Sequence, residues 1–426
     1  MKLATHTWIL IGLLAGAAAG VTANLVVGGS AGLLRFVGLV TEPAGRMWLS
    51  ALIMVVIPLI LSTLALGVAG LGSLRRVGRI GLTSLGTFLV LTALSTVLGL
   101  AVMNVVAPGE GLDESLRDQL LRTYQGQARD AMGLGGNEIS IDLLVNIVPR
   151  NPVAAAAEGN MLAVIFVALM VGVALVSLPE EKAGPMRRFL DSLGHVTVAI
   201  IELVMKLAPV GVFCLIFSVT ARFGFDLLVS LAAYVVTVIA SLAVFLVVGY
   251  SVVLVTVARR SPLDFFSRAR VVMVTAFTTS SSNATLPTTL RVAREEMGIP
   301  PEIAGFVLPL GATMNMNGTA LFEGATVLFL AQVFGVDLTL SQQLLVVLLS
   351  VVTAVGTAGI PGGSIPLLVM VLGMVGVPVE GIAIVLGVDR ILDMCRTVLN
   401  VTGDLVTAEV VTRFEGRRHR VSGRTN

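Results

Sequence analysis

The chain has 426 residues, of which 56% are apolar and only 13% charged, and its mean hydropathy is +0.96. A soluble domain carries about 25% charged residues, so this composition cannot clothe a soluble fold of such length, and it points to a multi-spanning membrane protein. The net charge of +2 gives no basic face for nucleic acid. Cys214 and Cys395 lie inside apolar runs and the three histidines are scattered, so neither a disulfide framework nor a His/Cys metal site is indicated.

The first apolar run, Trp8 to Val27, follows Lys2 and contains Ala17-Ala18-Ala19, which a signal peptide could also show. It continues past any small-residue cleavage site, so a retained first helix is the reading adopted. Spans are expected at about 7–28, 45–71, 78–107, 143–178, 192–223 and 226–258, with Trp8 and Trp48 near span ends, where amphipathic rings favour the headgroup zone. Pro209 interrupts the fifth, which neighbouring helices can tolerate. Arginines flank the apolar runs at Arg75/Arg76/Arg79, Arg187/Arg188, Arg259/Arg260, Arg268/Arg270 and in the tail from Arg413 to Arg424. By the positive-inside rule these ends, including the C-terminus, are cytoplasmic. A polar insert from Pro108 to Asp142 holds seven acids against three arginines, which fits an outside loop.

The second half reads differently, because its apolar segments are interrupted by polar, Gly- and Pro-containing runs of low charge. Thr278 to Pro287 lies between arms at about 264–277 and 288–298. Gly311 to Thr319, containing Asn315-Met316-Asn317, splits an apolar run from 303 to 334. Gly356 to Ser364 lies between arms at about 341–355 and 365–377. Non-helical backbone at membrane depth is viable only where protein or an aqueous cavity covers it. Two re-entrant hairpins and one helix unwound at Asn-Met-Asn would gather free carbonyls and helix N-termini, the usual ion and anion sites of carriers. The alternative is a set of water-exposed loops, which the low charge argues against.

The last segment, 380–412, carries the most specific pattern. Asp389, Asp393, Arg396, Asn400 and Asp404 fall within about 80° of one another at about 100° per residue. Thr397 and Arg390 stand on the shoulder of this stripe, opposite Ile391, Leu392, Val398, Leu399 and Leu405. A central charge in a membrane helix costs about 2.5–3.5 kcal/mol on insertion scales, so four on one face call for a function. A surface-lying amphipathic helix would leave the apolar flank 381–388 unexplained. Arg396 offers a planar fork for a carboxylate. Asp393 can accept an ammonium, Asn400 both donates and accepts, and Asp404 is a hard oxygen ligand for a small cation. The matching ligand is a zwitterion with an additional acidic group.

At these residues the chain resembles the dicarboxylate/amino acid:cation symporter family, over nearly its whole length and most strongly from about 270 to 407. The matching motifs are Ser280-Ser281-Ser282 with Thr285-Leu286-Pro287, Asn315 to Thr319, Gly356 to Gly362, and Asp389 to Asp404. The resemblance implies an all-α membrane protein with eight transmembrane helices, two re-entrant hairpins, a homotrimer and elevator-type movement, and no enzymatic activity. The implied division is 1–78 scaffold helices, 79–142 third helix and outside loop, and 143–224 scaffold helices. It continues with 225–412 for the sixth helix, hairpin 264–298, broken helix 303–334, hairpin 340–377 and last helix, then 413–426 as a basic cytoplasmic tail.

The family also implies residue roles. Arg396 would hold the substrate side-chain carboxylate and Asp393 the amino group, with Thr397, Asn400, Thr319, Ser281 and backbone near Ile360 and Ser364 completing the site. One sodium ion would use Asp404 and Asn400 with backbone at Gly311 and Asn315. A second would use backbone at Thr313, Ala354, Val355 and Thr357 near the Met316 sulfur. Three departures stand out. The signature acid is an amide, Asn317, and the third-helix positions expected to help a third sodium align with Phe88, Leu91 and Thr92, so that site is expected to be lost. Thr279 stands where archaeal members carry an arginine, and Arg390 could supply that charge near Asp389. Cys395 replaces a small residue, which nothing in the sequence explains.

The function expected is therefore sodium-driven symport of aspartate or glutamate, in the cell (inner) membrane, using two sodium sites. Proton coupling through Asp389 or Asp404, a C4-dicarboxylate carrier, an anion channel and a ligand-gated sensor remain as alternatives. Asp393 argues against a substrate without an ammonium, and Arg396 against a neutral amino acid.

Overall fold

The computed structural model describes residues 5–28, 30–77, 79–110, 148–157, 161–223, 226–357, 364–386 and 388–422, and among these every regular element is helical. The polar insert's 111–142, the hairpin tip at 358–363 and the last residues 423–426 lie outside the described set, and the expectations placed on them with it.

Two helices are long and apolar enough to cross a bilayer, Arg79–Val106 and Leu228–Ala258; the second passes through two π-turns without losing its course. Glu180–Lys206 and Ala208–Arg222 pass the same test together but are bent by 59°. The break falls at Leu207, because Pro209 disfavours helical geometry just before it and blocks the carbonyl four residues back. The same physics corrects the expected span 45–71. Glu42–Ile53 and Val56–Val77 are separate helices with a turn at Met54-Val55, four and three residues ahead of Pro58. Within the expected span 143–178 the described helices are Pro152–Ala157 and Met161–Ser177.

The first helix, Thr5–Val27, packs along Ala208–Phe223, and Val56–Val77 packs on Met161–Ser177 and Glu180–Lys206. Polar links pin these elements together. Thr41 and Ser218 hydroxyls meet at 2.7 Å, Trp48 Nε1 donates to the Val204 carbonyl at 3.0 Å, and Glu42 binds Arg46 at 2.6 Å and Arg222 at 2.5 Å.

The second half is arranged around the last helix. Pro262–Thr279 and Ser282–Glu295 pack as a hairpin, Pro301–Met314 and Asn317–Val333 are two halves of one interrupted helix, and all four touch the helix Asp389–Ser422. Leu340–Gly356 and Ile365–Met374 follow, and Arg79–Val106 packs against Asn317–Val333. The last segment is not one helix over 380–412. A 3-10 turn, Val379–Gly381, leads into the short helix Ile382–Leu386, and a new helix starts at Asp389 and runs through to Ser422. An acid at its first position suits the positive end of the helix dipole.

Candidate functional site

The stripe is buried as its spacing predicts. Asp389, Asp393, Arg396, Asn400 and Asp404 all sit inside the protein, and Arg396 heads the fully buried side chains by volume. Arg396 is held from three directions. Its Nη1 donates to Asp389 Oδ1 at 2.8 Å, its Nε and Nη2 lie 3.0 Å from Asp393 Oδ1, and its guanidinium carbon stands 4.4 Å above the Phe322 ring. Thr397 donates to the Asp393 carbonyl at 2.7 Å, and Arg390 Nη1 lies 3.6 Å from Asp393 Oδ2. The four charges Asp389, Arg390, Asp393 and Arg396 thus sum to zero.

The interrupted helix meets this stripe at its break. Asn315 and Met316 leave helical geometry at φ −116°, ψ 77° and φ −106°, ψ 53°. The exposed first N–H groups of the second half need acceptors. Asn400 Oδ1 supplies one, taking Gly318 N–H at 2.7 Å and Thr319 N–H at 3.4 Å, while its Nδ2 contacts Met316 sulfur at 3.3 Å and Thr319 Oγ1 at 3.2 Å. Gly318 has to be glycine, since a Cβ there would run into the Arg396 backbone.

A small polar cavity forms at this junction, lined by Ser280, Ser282, Met316, Thr319, Thr357, Ser364, Asp393, Arg396, Thr397 and Asn400. Of the expected substrate residues, the structure gathers Thr319, Ser364, Asp393, Arg396, Thr397 and Asn400 there. Ser281 is in the hairpin tip, where its hydroxyl caps the following helix by accepting from Ala284 N–H at 3.2 Å, and Ser280 and Ser282 line the cavity instead. Ser280 turns the chain at φ 49°, a strained value for a residue with a Cβ. The hydroxyls of Ser280 and Ser364 are buried without a partner among the described residues. Buried polar groups are normally paired, so these two are suited to a ligand. Thr279 binds Thr285 Oγ1 at 3.0 Å and so ties the tip at the place where an arginine was expected. Ile360 lies outside the described residues.

Of the residues expected at the first cation site, the structure brings Gly311, Asn315 and Asp404 together. Asp404 Oδ1 accepts only from Asn315 Nδ2, at 2.8 Å, among the described residues; Asn315 Oδ1 is buried and unpartnered, and Gly311 packs directly on the Asp404 carboxylate. A buried carboxylate with no cationic side chain beside an orphaned carbonyl oxygen is a donor set of hard oxygens that fits a small cation. For the second site, Met316 and Ala354 join one cluster and Met316 and Thr357 share the cavity, whereas Thr313 is exposed and Val355 half-buried.

Around Asn317 the structure adds partners that the sequence alignment did not name. Thr92 Oγ1 donates to Asn317 Oδ1 at 2.8 Å, Ser95 Oγ to its backbone carbonyl at 2.8 Å, and Asn317 Nδ2 donates to Tyr250 hydroxyl at 2.9 Å. Tyr250 hydroxyl in turn donates a hydrogen bond to the Leu399 carbonyl at 2.8 Å. A phenol and two hydroxyls are therefore present, with Tyr250 coming from a different helix, while Phe88 and Leu91 are buried apolar residues. What is missing is the negative charge. Gly403 permits the knot, because a Cβ there would come within 2.6 Å of Asn317 Nδ2.

Sequence reasoning also missed Glu323. It is fully buried, accepts from Thr353 Oγ1 at 2.8 Å through Oε2, and leaves Oε1 unpartnered among the described residues. A lone acid in an apolar run is itself a signal of function.

Among the described residues, apolar helices around a charge-paired polar pocket at a helix break are compatible with a membrane transporter. The chain belongs to the sodium:dicarboxylate symporter family, whose family model matches residues 6–414. It is 35% identical to the proton/sodium-glutamate symport protein of Bacillus subtilis, over 98% of this chain and 94% of that one. It is 37% identical to the proton/glutamate-aspartate symporter of Escherichia coli, over 88% and 85% of the two chains. A C4-dicarboxylate transport protein of Bacillus subtilis is 32% identical over 89% and 88%.

Proposed function

We propose that this protein carries acidic amino acids, aspartate or glutamate, across the cell (inner) membrane by secondary active symport with sodium. The observation that carries the reading is Arg396, buried beside Asp393 against a cavity with two unpartnered hydroxyls. An entering amino acid replaces internal pairs with equivalent ones. Its side-chain carboxylate takes the Arg396 fork from Asp389, its ammonium takes Asp393, and Thr397, Asn400, Thr319 and Ser364 receive what remains.

Sodium ions would travel at Asp404, Asn400, Gly311 and Asn315, and at the backbone around Thr313, Met316, Ala354, Val355 and Thr357. The neutral knot at Asn317 supports two sodium ions rather than three. The family relationship supports eight spans, two re-entrant hairpins, a homotrimer, a cytoplasmic C-terminus and elevator motion. In this division 79–142 and 225–412 supply the moving part and 1–78 and 143–224 the static part.

Glu323 favours a second reading, proton coupling. It is a fully buried acid with one free oxygen and no paired cation among the described residues. It is a better placed proton carrier than Asp389, which Arg396 occupies. Uptake into proteoliposomes under separate sodium and proton gradients decides between the two. Uptake that follows neither gradient would refute symport.

A further inference from the structure

We infer that the base of the hairpin formed by Pro262–Thr279 and Ser282–Glu295 is a docking surface for anionic phospholipid. Headgroup phosphates meet Arg259, Arg270 and Arg294, while Leu263 enters the acyl layer. Neither the substrate cavity nor the cation ligands take part. Arginines at a cytoplasmic end are expected from topology alone, and for that purpose water would satisfy them. Three features of these residues call for an anionic lipid instead.

The first is unbalanced charge. Arg260 Nε donates to Glu409 Oε2 at 2.9 Å and its Nη2 to the Met297 carbonyl at 3.4 Å. Arg268 donates to Asp264 Oδ1 at 2.9 Å and to the Glu296 carbonyl, and Arg291 reaches Glu296 Oε1 at 3.1 Å. These contacts close the base of the hairpin and engage Asp264, Glu296 and Glu409. They leave Arg259, Arg270 and Arg294 exposed, with no acid partner among the described residues. The last helix passes this end at Glu409, and over 413–424 the sequence carries five arginines against one acid. The local potential is therefore positive.

The second is the backbone of Arg259, which follows the helix Leu228–Ala258 in left-handed geometry at φ 58°, ψ 41°. Glycine takes that conformation without a Cβ clash, so the backbone alone gives no reason for an arginine there. The third is the company Arg270 keeps. At about 100° per residue, Leu263, Ser267, Arg270 and Val274 fall within about 60° of one another. Leu263 is 85% exposed and Val274 63%. Water would leave this strip's apolar side chains uncovered, and hydrocarbon would leave the arginine unpaired. The headgroup zone of a bilayer meets both needs, because the aliphatic parts lie along acyl chains while a phosphate accepts the guanidinium fork. Basic clusters beside a membrane draw anionic lipid in this way.

The test is binding of fluorescent phosphatidylglycerol, or of phosphatidylcholine with the same acyl chains, to the purified full-length protein in neutral detergent. Phosphatidylglycerol should bind more tightly, and added salt should narrow the difference, since exposed charges are screened. Each of Arg259→Gln, Arg270→Gln and Arg294→Gln should cost about fivefold in phosphatidylglycerol affinity, and the triple variant about a hundredfold, the scale of basic residues near a charged bilayer. The triple variant Arg259→Lys/Arg270→Lys/Arg294→Lys should keep most of the affinity. Leu263→Ser should weaken both lipids alike, because it removes acyl contact and no charge. The three arginines are exposed and unpaired, so the melting temperature without lipid should not change. Equal binding of the two lipids would overturn the docking surface. So would a triple glutamine variant that melts normally and still prefers phosphatidylglycerol. Should the triple variant fail to fold, the three single variants decide by the same criterion.

Discussion

Arg396→Ala separates the structural role of the guanidinium from its role as a ligand group. Sequence alone casts Arg396 as a ligand whose loss would spare the fold. In the structure it also balances Asp389 at 2.8 Å and Asp393 at 3.0 Å, all three residues being buried. Removing one partner of a buried pair costs about 3–5 kcal/mol, a large share of the roughly 5–15 kcal/mol that holds a typical protein folded. The single variant should therefore melt at a clearly lower temperature as well as lose aspartate binding. Adding Asp389→Asn returns the four-residue cluster to neutrality and should recover most of the thermal stability without recovering binding. Thermal unfolding in detergent, with and without aspartate, reads both effects. Unchanged melting of the single variant would refute the internal pairing, and undiminished aspartate affinity in the double variant would refute the role of Arg396 as substrate fork.

Asp404→Asn should sharply weaken the dependence of substrate binding on sodium, because it removes the carboxylate that Asn315 binds; an unaltered sodium titration would exclude this cation site. Glu323→Gln should uncouple uptake from a proton gradient while preserving aspartate binding, and proton-driven uptake that persists in proteoliposomes would dismiss Glu323 as the carrier. Asn317→Asp places a carboxylate among the hydroxyls of Thr92, Ser95 and Tyr250 and should steepen the sodium dependence of binding. A slope that stays flat in a folded variant would show that the knot cannot host an ion. Gly403→Ala should cost about 1–3 kcal/mol of stability by overpacking Tyr250 and Asn317, measurable as a lower melting temperature.

The stripe was legible because its polar groups repeat at helical spacing in an apolar segment, where no surface demand explains them. The helix break was legible because Asn315-Met316-Asn317 places two side-chain amides where lipid tolerates none. Glu323 escaped notice because its neighbours at helical spacing, Thr319 and Thr326, carry no charge, so no charged stripe drew attention to it. Tyr250 escaped because its partner Asn317 lies 67 residues away, and only tertiary packing brings the two to 2.9 Å. The kink at Leu207 was foreseen from Pro209. That at Met54-Val55 was equally implied by Pro58 but hidden by the unbroken hydrophobicity around it, since composition records burial and not helix continuity. The pairing of Asp393 with Arg390 could not be read from spacing alone, because the two side chains can meet or diverge at three residues apart.

These features bear together on why coupling in this carrier should be lean. A cation taken from water into a buried site must recover its hydration energy from oxygen ligands, and a carboxylate contributes most of that recovery. The described residues around the helix break contain four acids: Asp389, Asp393, Asp404 and Glu323. Arginines already answer Asp389 and Asp393, and the substrate competes for that pair. On the proposed reading Asp404 is left for one sodium ion and Glu323, bonded to Thr353 on the neighbouring helix, for a proton, while the backbone site relies on neutral oxygens. Asn317, the remaining polar position, satisfies both ends of its amide with protein groups and has no charge to offer. Each further cation would have to be held by neutral oxygens alone. The number of uncommitted buried acids therefore limits how many cations this site can bind tightly with each substrate.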